Sequence, residues 1–289
     1  MIEAGLLLAL GCALLTNVAM LCKHRGATRA PDVRFRAPLR SAAELFRSRW
    51  WTIGFAVAFA AWGLHVAALA LAPLSLVQAV IAGGLVLLVI PARRWFAITI
   101  GTRELTGVAL SAVGLAFLAL TASDQAADAN GYSQSAMISF EAGAVGLGVA
   151  LLLSSGHERV EHHGGLLLAA AGGLLIGVSD VAIKALAETV PGDLLSVVSP
   201  WTMVAALAGL GAFYALARAL QLGGAIDVIV VSSIAVNLAA ITGGVLVFGD
   251  PVGSGPLAIV ARSAAFAAVI VAAALIPAVP RREPSPQPA

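Results

Sequence analysis

Hydrophobic positions fall into nine stretches along the chain: Ala4–Leu21, Trp51–Leu71, Leu74–Ile90, Leu105–Leu120, Ala136–Leu153, Leu166–Leu186, Val197–Leu220, Val228–Phe248 and Leu257–Leu275. Each is long enough, or nearly so, to cross a bilayer as a helix, the element that satisfies its own backbone in hydrocarbon. Pro73 ends the second stretch and turns straight into the third, and Pro251 and Pro256 bracket the turn between the last two, as expected of a residue that stops helices. The segment Trp95–Ile100 is also apolar, so the fourth span is either Leu105–Leu120 or a longer, shifted version of it. The pattern predicts an all-α, polytopic membrane protein of about nine transmembrane helices.

Composition narrows the class. Of 289 residues, 60% are apolar and 11% charged, and the mean hydropathy is +0.96, whereas soluble domains carry about 25% charged residues. Too few charges remain to cover a water-facing surface, which excludes a soluble enzyme and a disordered regulator. A disulfide scaffold is excluded too, because Cys12 and Cys22 share one predicted helix and lie too far apart to bridge. The positions of the basic residues set an orientation. Lys23, Arg25, Arg29, Arg34, Arg36, Arg40, Arg47 and Arg49 lie in the first loop, Arg93, Arg94 and Arg103 in the third, Arg159 in the fifth, and Arg281 and Arg282 in the tail. The even loops carry none, so the odd loops and the C-terminus read as cytoplasmic and the N-terminus as outside, in an inner, cytoplasmic membrane. The basic residues follow the first apolar run, the reverse of a cleaved signal peptide. The same eight residues of the first loop suit anionic lipid headgroups.

The two halves show self-similarity. Thr16-Asn17-Val18-Ala19 resembles Ser179-Asp180-Val181-Ala182, and Ile81-Ala82-Gly83-Gly84 resembles Ile241-Thr242-Gly243-Gly244. Corresponding spans are five apart, so the halves would run in opposite directions through the bilayer, a weak inverted repeat of the kind that places a transporter site near the midplane. The expected organisation is a first repeat over 1–122, a linking helix over 136–154, a second repeat over 163–280 and a disordered tail over 281–289. Asn17 would lie about 20 Å into the membrane from one side and Asp180 about 21 Å from the other, at 1.5 Å per residue.

Polar residues within the spans are the candidate site. Asp180 and Lys184 stand i, i+4 with the acid first, the favourable order for a helical ion pair. Gly173 and Gly177 precede them on the same stripe, which suits packing against protein. An ionisable residue deep in a span is a functional-site hypothesis by default; the alternative is a pair that only fixes helix packing. His65 reads as a proton carrier, a ligand or a hydrogen-bonded core histidine. Asn17, Gln78, Asn237 and Tyr214 could supply neutral ligands, though such groups also serve as interhelical ties. Arg218, Asp227 and Arg262 read as headgroup anchors near span ends, and Glu141 as either anchor or site. His157-Glu158-Arg159-Val160-Glu161-His162-His163 looks metal-like, but Glu161 stands where a zinc-protease helix needs its second His. No Walker motif, nucleotide fingerprint or nucleophile elbow is present, so neither catalysis nor a cofactor is expected.

The residues resemble the drug/metabolite transporter superfamily, and within it the NIPA-type magnesium transporters and EamA-like proteins. The likeness lies in Lys23-His24-Arg25-Gly26 closing the first span, Trp50-Trp51 and Gly54 opening the second, and Ala70-Leu71-Ala72-Pro73-Leu74-Ser75-Leu76-Val77 at the next turn. It extends to Glu104 and Gly107, Ala217-Arg218-Ala219-Leu220, and Phe248-Gly249-Asp250. The chain departs from the NIPA pattern at Lys23-His24-Arg25, where that group has a run of lysines, at Ala79 in place of proline, and at Arg93-Arg94 in place of an acidic residue. The resemblance implies a secondary transporter moving a small solute or cation, Mg2+ among them, by alternating access. Asp180 would be the charged site residue, and Lys184, His65, Asn17, Gln78, Asn237 and Tyr214 would line the path.

Two other readings are an exporter of amphipathic metabolites or a lipid flippase, and a non-transporting scaffold using small-residue faces such as Gly173/Gly177 and Ala142/Gly146/Ala150 for helix association. The expected partners are the transported solute or cation, membrane lipids and, as an option, a second copy in a homodimer; nucleic acid is not among them.

Overall fold

The computed structural model describes residues 2–71, 80–81, 83–97, 101–121, 132–156, 163–189 and 199–249, with isolated helical positions between 260 and 268. Outside them lie Gln78, the turns at Pro73, Pro251 and Pro256, parts of the third span and most of the ninth, His157–His162, Arg262 and the tail. Among the described residues the chain is helical and contains no strand. The elements are α1 (Ile2–Ala27), α2 (Pro38–Arg47), α3 (Arg49–Leu71), a 3-10 turn (Gly84–Leu88), α4 (Val89–Arg94), α5 (Thr102–Thr121), α6 (Gln134–Ser154), α7 (Gly164–Thr189), α8 (Pro200–Leu222) and α9 (Ala225–Val247).

Among the described residues five helices are long and apolar enough to cross a membrane: Glu3–Ala27, Gln134–Ser154, Gly164–Leu186, Pro200–Leu222 and Ala225–Val247. Local chemistry sets their ends. Ser133 and Ser199 cap α6 and α8, their hydroxyls accepting from Ala136 N and Thr202 N at 3.4 Å, and Pro200 occupies the first turn of α8, where no amide is needed. The pair Gly223-Gly224 separates α8 from α9.

Two expectations change. α1 runs six residues past Leu21, so His24 and Arg25 lie in its last turn, where cations complement the helix dipole. The basic first loop also contains a ten-residue helix, α2. The fourth span resolves as Thr102–Thr121, separated from α4 by exposed Trp95 and by Ala97 at φ 53°.

α1 packs along α3, and α7 packs on α6, α8 and α9. Close approach depends on residues without side chains. A Cβ on Gly173 would collide with Ser232 O of α9 and lie 2.8 Å from Ala235 Cβ, and one on Gly177 would collide with Ala239. Overpacking of this kind costs about 1–3 kcal/mol, more where backbone must move. Gly173→Val is therefore expected to lower the thermal midpoint of the purified protein by several degrees and to broaden its elution profile. An unchanged midpoint would mean that α7 and α9 do not approach here.

Asn17 Nδ2 on α1 donates to Gly84 O at 3.0 Å; in the other half the Val181 side chain on α7 occupies the space where Gly243 of α9 would carry a Cβ.

Candidate functional site

One end of the bundle, here the basic end, carries Arg25, Arg29, Arg34, Arg36, Arg40, Arg47, Arg49 and Arg218. There the halves are packed together. One buried cluster joins Leu21, Leu88, Val108 and Ala112 to Ala225, Ile226, Ile229, Val230 and Ile234. A second joins Ala27, Val33, Leu45 and Trp51 to Leu168, Ala169, Tyr214, Ala217, Leu220 and Val228. Polar groups reinforce the closure. Gln221 of α8 donates from Nε2 to Ala27 O at 3.1 Å and Pro31 O at 3.0 Å, and its Oε1 accepts from Val33 N at 3.0 Å. Arg218 Nη1 lies 2.7 Å from Asp32 Oδ1 and 3.1 Å from Gln221 Oε1. Arg218 is thus engaged across the two halves rather than being only a headgroup anchor, and Asp227, 9% exposed, is buried in the first turn of α9.

At the opposite end each half has its own core. Ala9 and Ala68 pack with Leu8, Val80 and Ile81 in the first half. Met137, Val181, Ala182, Ala185, Val247 and Phe248 pack within the second. Among the described residues the buried clusters that join the halves include the two at the basic end and neither of these two.

Asp180 lies beyond the shared cores and is exposed. Around α7, Gly172 and Ser179 meet α8, Gly173 and Gly177 meet α9, and Leu174 and Leu175 meet Gly148 of α6. Asp180 falls between the α8 and α9 sides, away from α6, and is exposed, as is Ile183 beside it. α1 touches both α8 and α9. Ala169, fully buried in the basic-end cluster, lies eleven residues earlier on the same stripe, three turns or about 16 Å along the axis. The stripe is covered at Ala169 and open at Asp180.

The other candidate residues separate by level. His65 is half-buried on α3, beside Leu64, which would lie 3.3 Å from a Cβ on Gly11, and so belongs to the end opposite the arginines. Lys184 Nζ sits 3.9 Å from the Phe248 ring centroid, and none of the described ion pairs joins it to Asp180. Asn17 is buried and tied to Gly84 O, and Asn237 Nδ2 donates to Ser233 O of its own helix at 2.7 Å. Tyr214 is buried in the basic-end seal against Phe213. Among the described residues no three His, Cys, Asp or Glu side chains converge in a metal-binding group. Against family models, curated proteins and solved structures the chain gives no match, so the reading of this site rests on its geometry.

Gln221 was not anticipated, and Glu141, which reads in sequence as anchor or site, is buried. Gln221 reads in sequence as an ordinary polar residue at a helix end. Glu141 is 4% exposed, and neither carboxylate oxygen has a hydrogen-bond partner. It lies on α6 one turn from Met137 and one turn from Val145, both members of apolar clusters. A buried polar group left without a partner costs about 1–3 kcal/mol. Glu141→Leu, close in volume and apolar, is therefore expected to raise the thermal midpoint, whereas Glu141→Lys lowers it. A fall for the Leu variant would indicate that the carboxyl has a partner in solution.

Proposed function

We propose that this chain is an integral membrane protein of about nine spans, with the basic end cytoplasmic and the N-terminus outside. In this reading it is a secondary transporter of the drug/metabolite type that moves a small solute or cation by alternating access between its two halves. What supports the reading is that the buried cores shared by the two halves lie at the basic end, while Asp180, farther along α7, is exposed. An ionisable side chain at that depth is costly unless it faces water or a ligand, and a crevice between repeats is where such a ligand would bind. Asp180 would hold the charged or hydrogen-bonding part of the solute, and His65 would lie across the opening.

Mg2+ is the first cation to test, because Asp180 supplies the hard oxygen that this ion prefers and the ion keeps several of its own waters. Purified protein in proteoliposomes with an internal Mg2+ dye, with and without a proton gradient, is the direct test. Dye response above that of empty vesicles supports cation transport; an inert protein directs the search to organic solutes, including the exporter and flippase reading. The exposed face Ala142/Gly146/Ala150 of α6, where nothing stands within 4 Å of a Cβ placed on Gly146, favours the scaffold or homodimer reading, as a small-residue surface for helix association.

A further inference from the structure

The short helix α2 has three sides rather than the two that packing alone requires. Ser41 and Leu45, four residues apart, are buried against the protein. Arg40 and Arg47, seven apart, form an exposed basic stripe. Between these sides runs a third, made by Leu39 at 84% exposure, Ala43 and Phe46 at 41%, with Phe35 just before the helix at 53%. Phe46 keeps its place by stacking on Phe213 of α8 at 6.3 Å and meeting Phe55 of α3 edge-on at 5.3 Å. An outward apolar stripe flanked by arginines is the pattern of a helix lying in the headgroup layer. Residues 27–49 hold six arginines against Asp32 and Glu44, a charge balance that favours anionic over neutral headgroups. Arg40 shares its Nε with Glu44 at 2.9 Å, yet its side chain stays 81% exposed.

α2 is also joined to the closure of the basic end. Ser41 Oγ accepts from Arg34 N at 3.0 Å and donates to Arg34 O at 3.3 Å, and the adjacent Val33 N is the group held by Gln221. We infer that α2 is a docking surface for anionic lipid of the surrounding bilayer, and that lipid held at Leu39, Arg40, Phe46 and Arg47 braces the Gln221 clasp and favours the state closed at the basic end. The inference rests on the membrane placement proposed above but not on transport.

Hydrogen exchange of the full chain in nanodiscs tests it without any flux assay, since the amides of Val33 and Arg34 report the Gln221 and Ser41 bonds directly. In phosphatidylcholine containing phosphatidylglycerol, exchange across residues 30–36 should be roughly tenfold slower than in phosphatidylcholine alone, a size that two arginines at an anionic surface support. Arg40→Gln/Arg47→Gln, at exposed positions, should remove the difference while exchange in α7 and α9 stays as in the unsubstituted chain. Equal exchange in the two bilayers overturns the inference and points to a neutral surface or a protein partner. A difference that survives the double substitution, or slowing confined to α2, overturns it as well.

Discussion

Asp180→Asn is expected to cut solute flux into proteoliposomes by ~10–150-fold at low substrate, with the protein still monodisperse and its thermal midpoint within a degree or two. The magnitude follows from losing one contact to a charged group, about 1.5–3 kcal/mol, at about 1.4 kcal/mol per decade. The small effect on folding follows from the position. Asp180 is exposed on α7, none of the described ion pairs includes it, and asparagine has nearly the same shape. A group that served only to lock helices together would behave in the opposite way, losing stability along with activity. Normal flux in the Asn variant would remove Asp180 from the pathway.

The second large effect concerns the closure of the basic end. Gln221→Ala deletes the side chain that holds Ala27 O, Pro31 O and Val33 N. Each such bond contributes about 0.5–1.5 kcal/mol net, so together they weigh on the closed state by ~2–4 kcal/mol. A two-state equilibrium shifts ~30–1000-fold for that difference. Arg218→Ala should do much less, because its partner Asp32 is 70% exposed and exposed pairs contribute about 0–1 kcal/mol. In a Cys12→Ala/Cys22→Ala background, Ala169→Cys lies in the seal and should resist a membrane-impermeant maleimide. Adding Gln221→Ala should make it react from the basic side, and adding Arg218→Ala should change its rate little. Equal rates in both variants would mean that the apolar clusters alone keep the end shut.

The long helices were legible because each is a continuous apolar run, and a run of that length in a chain with so few charges has one structural outcome. The predicted stretches Ala136–Leu153 and Trp51–Leu71 and the helices α6 and α3 differ by no more than two residues at either end. α2 was hidden for the converse reason. Its ten residues mix Arg, Ser, Glu and apolar positions, and within a basic segment that mixture reads as loop, although Pro38 in the first turn is a start signal.

The site was legible only in part. Asp180 stands out because a lone carboxylate in an apolar run is conspicuous whatever surrounds it. What each does depended on contacts distant in sequence. Asn17 meets Gly84, 67 residues away, and Arg218 meets Asp32, 186 residues away; no local pattern encodes either. Tyr214 and Asp180 lie on neighbouring helices, yet only the packing separates a residue of the seal from one of the opening.

Accessibility of position 180 is the most direct measurement of the proposed alternating-access site. With Cys12 and Cys22 replaced by Ala and Asp180→Cys introduced, an impermeant maleimide applied to oriented vesicles should label the protein from the side opposite the basic arginines and not from the basic side. Adding Gln221→Ala should make basic-side labelling appear. A cysteine at 180 that reacts from neither side in both backgrounds would contradict a water-filled crevice and leave α7 as a helix facing lipid or dry protein.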